Sequence, residues 1–120
     1  MQSVAGWHGD GWMEPHVSMA IEIDAPASFL IHLWNPPQLP NNIARVRLNG
    51  NEVAVLTLGA SEGKDSAIEV PSGRSILSID YERSFIPSAL GASRDDRTLS
   101  AVGSLYRQAP VQVFPTAPLP

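Results

Sequence analysis

The sequence predicts an all-β domain, a two-sheet antiparallel β-sandwich of jelly-roll-like closure, and three observations carry that reading. Eleven prolines and nine glycines cut the chain into short segments. No apolar repeat at helical spacing runs for several turns free of these breakers. What recurs instead is alternation of apolar and polar residues with a period of two, as expected of strands with one buried face.

The elements follow in order. Val17, Met19, Ile21 and Ile23 share one face of an extended segment, Ser18, Ala20 and Glu22 lie on the other, and Asp24-Ala25-Pro26 ends it. Phe29-Leu30-Ile31-His32-Leu33-Trp34 is apolar nearly throughout and stops at Asn35-Pro36-Pro37, which predicts a central strand packed on both faces. Ala44–Leu48 and Glu52–Leu56 flank Asn49-Gly50. Both turn residues accept positive φ, so this is a tight hairpin. A polar loop centred on Ser61–Asp65 leads to a short strand at Ala67–Val70, closed by Pro71. Alternation returns from Ser75 to Phe85, a long loop occupies 86–98, and a last strand runs from Leu99 to Tyr106. About seven short strands separated by turns fit two packed antiparallel sheets better than a parallel sheet with crossover helices.

A chain of 120 residues with 43% hydrophobic and 17% charged residues supports one domain with one core. Residues 1–107 are assigned to the sandwich. Residues 108–120, with Pro110, Pro115, Pro118 and Pro120, read as a Pro-rich tail or linker toward a neighbouring domain of a longer parent protein. The net charge of −4 and the scattered Lys and Arg argue against a nucleic-acid partner and against an anionic membrane surface. No apolar stretch approaches the roughly 20 residues of a bilayer span. The start, Met1–Trp7, lacks the basic and apolar regions of a secretory signal, which makes the chain cytoplasmic if it stands as given. With no cysteine, disulfides, thiolate metal sites and thiol nucleophiles are excluded.

The most suggestive local composition is Gly6-Trp7-His8-Gly9-Asp10-Gly11-Trp12. Indole faces stack on the apolar face of a pyranose, while His8 and Asp10 can bond its hydroxyls. Trp7, His8, Asp10, Trp12 and Trp34 are therefore the candidate carbohydrate-binding residues. The structural alternative has Trp12 plugging one end of the sandwich, Trp7 ending a frayed terminus, and Trp34 packing at a sheet end. Asp95 and Arg97, two apart on an extended segment, are read as a loop anchor, Arg97 making charge-assisted bonds and Asp95 capping a turn. His8, Asp10, Glu14 and His16 carry metal-ligand chemistry without any recognised ligand spacing, so no metal is assigned, and no cofactor. Neither a nucleophile elbow nor a Gly-rich phosphate loop is present. Acidic pairs for glycoside hydrolysis can be drawn at will and select nothing. The chain is read as noncatalytic.

Phe85-Ile86-Pro87, Leu90-Gly91-Ala92-Ser93 and Asp95-Asp96-Arg97-Thr98-Leu99-Ser100 form a pattern that resembles the β-sandwich accessory domains found beside bacterial glycosyltransferases and polysaccharide-synthesis proteins. Gly11-Trp12 ahead of the first strand, the apolar strand ending in proline at Leu33–Pro37, and the Asn-Gly hairpin follow the same order, so the likeness spans residues 6 to 107. Trp34-Asn35 intervene where that family's strand usually runs straight into its proline. The resemblance implies a sandwich fold and a noncatalytic role near sugar polymers. The expectation is a glycan-binding module of a larger polysaccharide-handling protein, with an oligo- or polysaccharide and neighbouring domains as partners. Its competitor is a structural spacer or docking domain with no ligand of its own.

Overall fold

The computed structural model describes residues 4–91 and 93–108. Its strands are β1 (Val4–Trp7), β2 (Trp12–Ile23), β3 (Ala27–Trp34), β4 (Asn41–Leu48), β5 (Asn51–Gly59), β6 (Gly63–Val70), β7 (Gly73–Tyr81) and β8 (Ala101–Arg107), with a 3₁₀ turn at Pro87–Leu90. Every strand pairing is antiparallel, in the order β5-β4-β7-β2-β8-β3-β6, with β1 added to β2. Strand β2 joins the layers. Its residues 16–23 run along β7, whereas Trp12 and Met13 pair with β8. One layer is thus β5-β4-β7-β2 with β1, and the other is β8-β3-β6. Neighbours distant in sequence, β4 beside β7 and β3 beside β8, make this a jelly-roll-like sandwich rather than a meander.

The interlayer core is aliphatic. Val17 and Ile21 of β2, Val46 and Leu48 of β4, and Leu77 and Ile79 of β7 face Phe29, Ile31 and Leu33 of β3 with Ile68 and Val70 of β6. Period-two burial does the selecting, because each strand sends alternate residues into the interlayer and the rest outward. Tyr81 brings a hydroxyl into this core, where it donates to Met13 Sδ at 2.8 Å, and burial pushes its pKa well above the ordinary 10.0.

Several expectations need correction in detail. The run Phe29–Trp34 is not packed on both faces: Phe29, Ile31 and Leu33 are buried, while Leu30, His32 and Trp34 are only half-buried on the outer side. The central position in its layer stands, with β6 and β8 on either edge. The polar loop before β6 is shorter than expected, since Gly63–Asp65 already pair with β3. The glycine-rich start contains β1, which bulges at Gly6 (φ 80°) to continue along β2. The predicted tail lies outside the described residues apart from Gln108, whose N–H donates to the Ser28 carbonyl at 2.8 Å.

The Asn49-Gly50 hairpin forms as predicted, with φ of 52° and 84° and Leu48 opposite Asn51. Asn49 also exchanges two 2.8 Å bonds with Ile76, its N–H donating to the carbonyl and its Oδ1 accepting from the N–H, which ties the turn to β7. A Cβ at Gly50 would meet nothing within 4 Å, so replacement there strains only the backbone. Gly50→Val should lower stability by about 1–2 kcal/mol through the forced positive φ. A shifted denaturant midpoint at unchanged m-value would register it.

Buried polar groups hold the long connection from β7 to β8. Asn42 grips the Arg83 backbone at both ends, Nδ2 donating to the carbonyl at 3.0 Å and Oδ1 accepting from the N–H at 2.9 Å. Ser100 Oγ donates to the same carbonyl at 2.7 Å. Among the described residues, no helix is long and apolar enough to cross a membrane.

Candidate functional site

Strand register decides which chemistry-bearing residues meet. Val102 of β8 stands opposite Trp12 on one edge and opposite Trp34 on the other. Directly paired residues project to the same side of a sheet, so Trp12, Val102 and Trp34 form one row across the outer surface of the β8-β3-β6 layer. Two strand spacings put the tryptophan Cα atoms about 10 Å apart. The next row on that surface is Ser104, His32 and Asp65, and the one beyond it Tyr106, Leu30 and Ala67.

This surface is open and mixed in chemistry. Tyr106 is 57% exposed. His32 Nδ1 and Asp65 Oδ1 form a hydrogen bond, with side chains 44% and 54% exposed, so both keep polar atoms available to a ligand. Gly63 completes the tryptophan row, because a Cβ there would sit 3.0 Å from His32 Cε1 and 3.6 Å from Trp34 Cδ1. The missing side chain is what lets the imidazole and the indole lie across β6.

At the near end of the face, Trp12 meets Phe85 edge to face, ring centroids 5.8 Å apart at 69°. Trp12 N–H also donates to Asp10 Oδ1 at 3.2 Å, closing the turn between β1 and β2. Arg97 links that turn to the long loop: its Nη2 donates to Asp10 Oδ2 at 2.9 Å and to Asp95 Oδ2 at 2.7 Å, while Nε donates to Asp95 Oδ1 at 2.9 Å.

The Arg97 guanidinium, with the Arg97 backbone N–H second, lowers the Asp95 pKa from 3.8 to about 2; the same guanidinium, with the Trp12 backbone N–H second, lowers that of Asp10. Bonds to the same carboxylates raise the pKa of Arg97. A carboxylate with a depressed native pKa stabilises the fold fully above its unfolded value and loses that contribution as pH falls through the native one. The loop tether should therefore hold at neutral pH and weaken from about pH 4 toward about pH 2. Asp95→Asn should flatten the pH dependence of the melting temperature in that window, the effect being moderated by exposure of the Arg97 side chain at 32%.

The sequence candidates thus divide. Trp12 and Trp34 share the outer face, with Asp10 beside Trp12. Trp7 does not join them: paired with Met13, it packs against the core. His8 Nε2 lies 3.0 Å from Glu14 Oε2, and His16 Nδ1 lies 2.5 Å from Asp80 Oδ1. His8 and Glu14 thus pair with each other, Asp10 with Arg97 and His16 with Asp80, and among the described residues no group of three or more His, Asp or Glu gathers as a metal site would require. His32, Asp65 and Ser104 were not among the candidates, since only the pairing of β3 with β6 and β8 brings them together.

No family model matches the chain, and no curated protein matches it in sequence. Its fold has solved relatives. A family 35 carbohydrate-binding module from an environmental isolate superposes with a TM-score of 0.55 at 12% identity, over 88% of this chain and 77% of that one. The Podospora anserina GH26-CBM35 β-(1,4)-mannanase gives 0.53 at 12% identity, over 91% of this chain and 25% of the enzyme. The exo-β-1,3-galactanase of Phanerochaete chrysosporium gives 0.53 at 10% identity, over 89% and 26%. The likeness is one of fold. It supports the jelly-roll-like β-sandwich and puts carbohydrate-binding modules among the structural neighbours, and nothing in these matches connects the chain with glycosyltransferases.

Proposed function

We propose that the chain is a noncatalytic carbohydrate-binding module of a larger polysaccharide-handling protein, and that it holds glycan on the outer face of the β8-β3-β6 layer. The observation that carries this reading is the placing of Trp12 and Trp34, both half-buried on the outer side, on either side of Val102 and beside the polar row of Ser104, His32 and Asp65. Indole faces take the C–H surfaces of a pyranose and the polar row takes hydroxyls, a division of labour that suits an amphipathic sugar ring.

The carboxylates of this face are spread along β6, where each can accept from a sugar hydroxyl. Asp65 and Glu69 both project outward from β6, four residues apart, which is about 13 Å along a strand. The fold neighbours add weight, since one is a carbohydrate-binding module and two are enzymes whose names specify β-(1,4)-mannan and β-1,3-galactan chemistry. Arg97 serves this site indirectly, its bonds to Asp10 and Asp95 fixing the loops that flank Trp12.

Affinity electrophoresis of the isolated chain through gels containing β-1,4-mannan or β-1,3-galactan tests the proposal. The expected result is retardation by at least one polymer, kept in Trp7→Ala and lost in a Trp12→Ala/Trp34→Ala double variant. Absence of retardation by both polymers would return the chain to the structural-spacer reading.

A further inference from the structure

We infer that the outer face binds an internal stretch of an extended, uncharged polysaccharide laid across the strands, with Trp12 and Trp34 contacting different sugar residues of one chain. The inference rests on the glycan-binding reading above and gives it a ligand class and a direction.

Spacing comes first. Trp12 and Trp34 are the two register partners of Val102, so their Cα atoms lie about 10 Å apart across three adjacent strands. A single pyranose cannot span that distance, whereas successive residues of one chain can. Relief along the row is low: the residue between the indoles is valine, and the position beyond Trp34 is Gly63, whose absent Cβ leaves room for the His32 and Trp34 side chains. A flat strip of this kind accepts a ribbon-like chain.

Polar groups run parallel to the strip. Ser104, His32 and Asp65 form the adjoining row, about 7 Å along the strands, within reach of hydroxyls at the edge of a chain lying on the indoles. Their order supplies a hydroxyl, an imidazole and a carboxylate in sequence beside that edge.

Charge selects among polysaccharides. The outward positions of these strands are 102, 104 and 106 on β8, 28, 30, 32 and 34 on β3, and 63, 65, 67 and 69 on β6. They include Asp65 and Glu69 and no Lys or Arg. Lys64 falls on the opposite parity and lies 3.9 Å from Glu62. Among these positions a uronate chain would find no cation to pair with and two carboxylates to repel it, and Arg97 at the Trp12 end is already bonded to Asp10 and Asp95, so the face fits neutral sugars.

The test measures affinity of the full chain for β-1,4-mannooligosaccharides from the monosaccharide to the hexasaccharide by calorimetry, with polygalacturonate as the charged comparison. Affinity should rise by about tenfold or more as the ligand becomes long enough to reach both indoles, then level off. Val102→Lys, which raises a barrier between two intact tryptophans, should abolish that rise while the melting curve stays cooperative. Trp34→Ala should do the same by removing one end of the strip. Binding that is independent of length, or unchanged length dependence in both variants, overturns the inference and leaves the glycan-binding reading standing. Retention of polygalacturonate as strong as that of the neutral oligosaccharides overturns the charge selection. Failure to bind any member of the series, together with failure in both gels above, overturns the reading on which the inference rests.

Discussion

Trp34→Ala should weaken glycan retention by roughly thirtyfold, about 2 kcal/mol, while leaving a folded protein. The size of the loss follows from the kind of contact. Large aromatics carry a disproportionate share of binding energy where they are covered by a ligand, and truncation to alanine removes the whole stacking surface. The survival of the fold follows from where Trp34 stands. It is the last residue of β3, on the outward parity, and the interlayer is filled from the same strand by Phe29, Ile31 and Leu33. Trp7→Ala should behave in the opposite sense, because Trp7 packs against the core and not beside Trp34: stability falls and retention persists. Comparing the two variants by gel retardation and thermal melting separates a ligand-contacting indole from a packing one.

Asn35→Ala should cost about 3 kcal/mol of stability, or a fall of roughly 10 °C in Tm, the largest effect expected from a single polar side chain here. Asn35 is fully buried at the end of β3. Its Nδ2 donates to the Leu39 carbonyl at 2.9 Å and to the Gly59 carbonyl at 3.0 Å, while its backbone N–H donates to Glu62 O at 2.8 Å. One amide thus joins the proline-rich turn after Trp34 to the connection between β5 and β6, where the two layers pass into one another. Alanine would leave two carbonyls without their donor in a site that has little access to water, a heavier loss than that of two exposed bonds. Asn35→Asp should be at least as damaging, since an ionised carboxylate cannot donate to either carbonyl. Chemical denaturation of both variants checks the expectation, and destabilisation below about 1 kcal/mol would show that water replaces the amide.

The same residues show how much was legible beforehand. Period-two alternation located Val17–Ile23 of β2 and most of β7, because one face of each is filled largely by aliphatic side chains and the other is mostly polar, while the first residues of β2, 12–16, were not read as strand. The Asn49-Gly50 turn was legible for a different reason, its positive φ values narrowing the choice of residue. Strand β3 misled because its outward residues include Leu30 and Trp34, which by type alone resemble core. The parity held the signal: Phe29, Ile31 and Leu33 are uniformly apolar, while the alternate set contains His32. Strand β1 was hidden by its length and by the glycine at its bulge.

The candidate face was only half legible. Trp12 and Trp34 stood out by type, but their partnership runs through Val102, from a strand that begins near residue 101, and no local pattern encodes that β8 lies between β2 and β3. The His32–Asp65 pair, 33 residues apart, depends in the same way on the pairing of β3 with β6. Asp95 and Arg97 lie two apart and were legible as a pair, whereas the reach of Arg97 to Asp10 crosses 87 residues and waited for the fold.

The most direct test is a nuclear magnetic resonance titration of the labelled chain with a neutral β-1,4-linked oligosaccharide. Shifts should be confined to the indole N–H groups of Trp12 and Trp34 and to the amides of Val102, Ser104, His32 and Asp65, while Trp7 and, on the β5-β4-β7-β2 layer, Arg47 of β4 and Asp80 of β7, whose side chains pair at 2.9 Å, stay unmoved. Saturable shifts centred on that layer, with the two indoles silent, would contradict the assignment of the binding face.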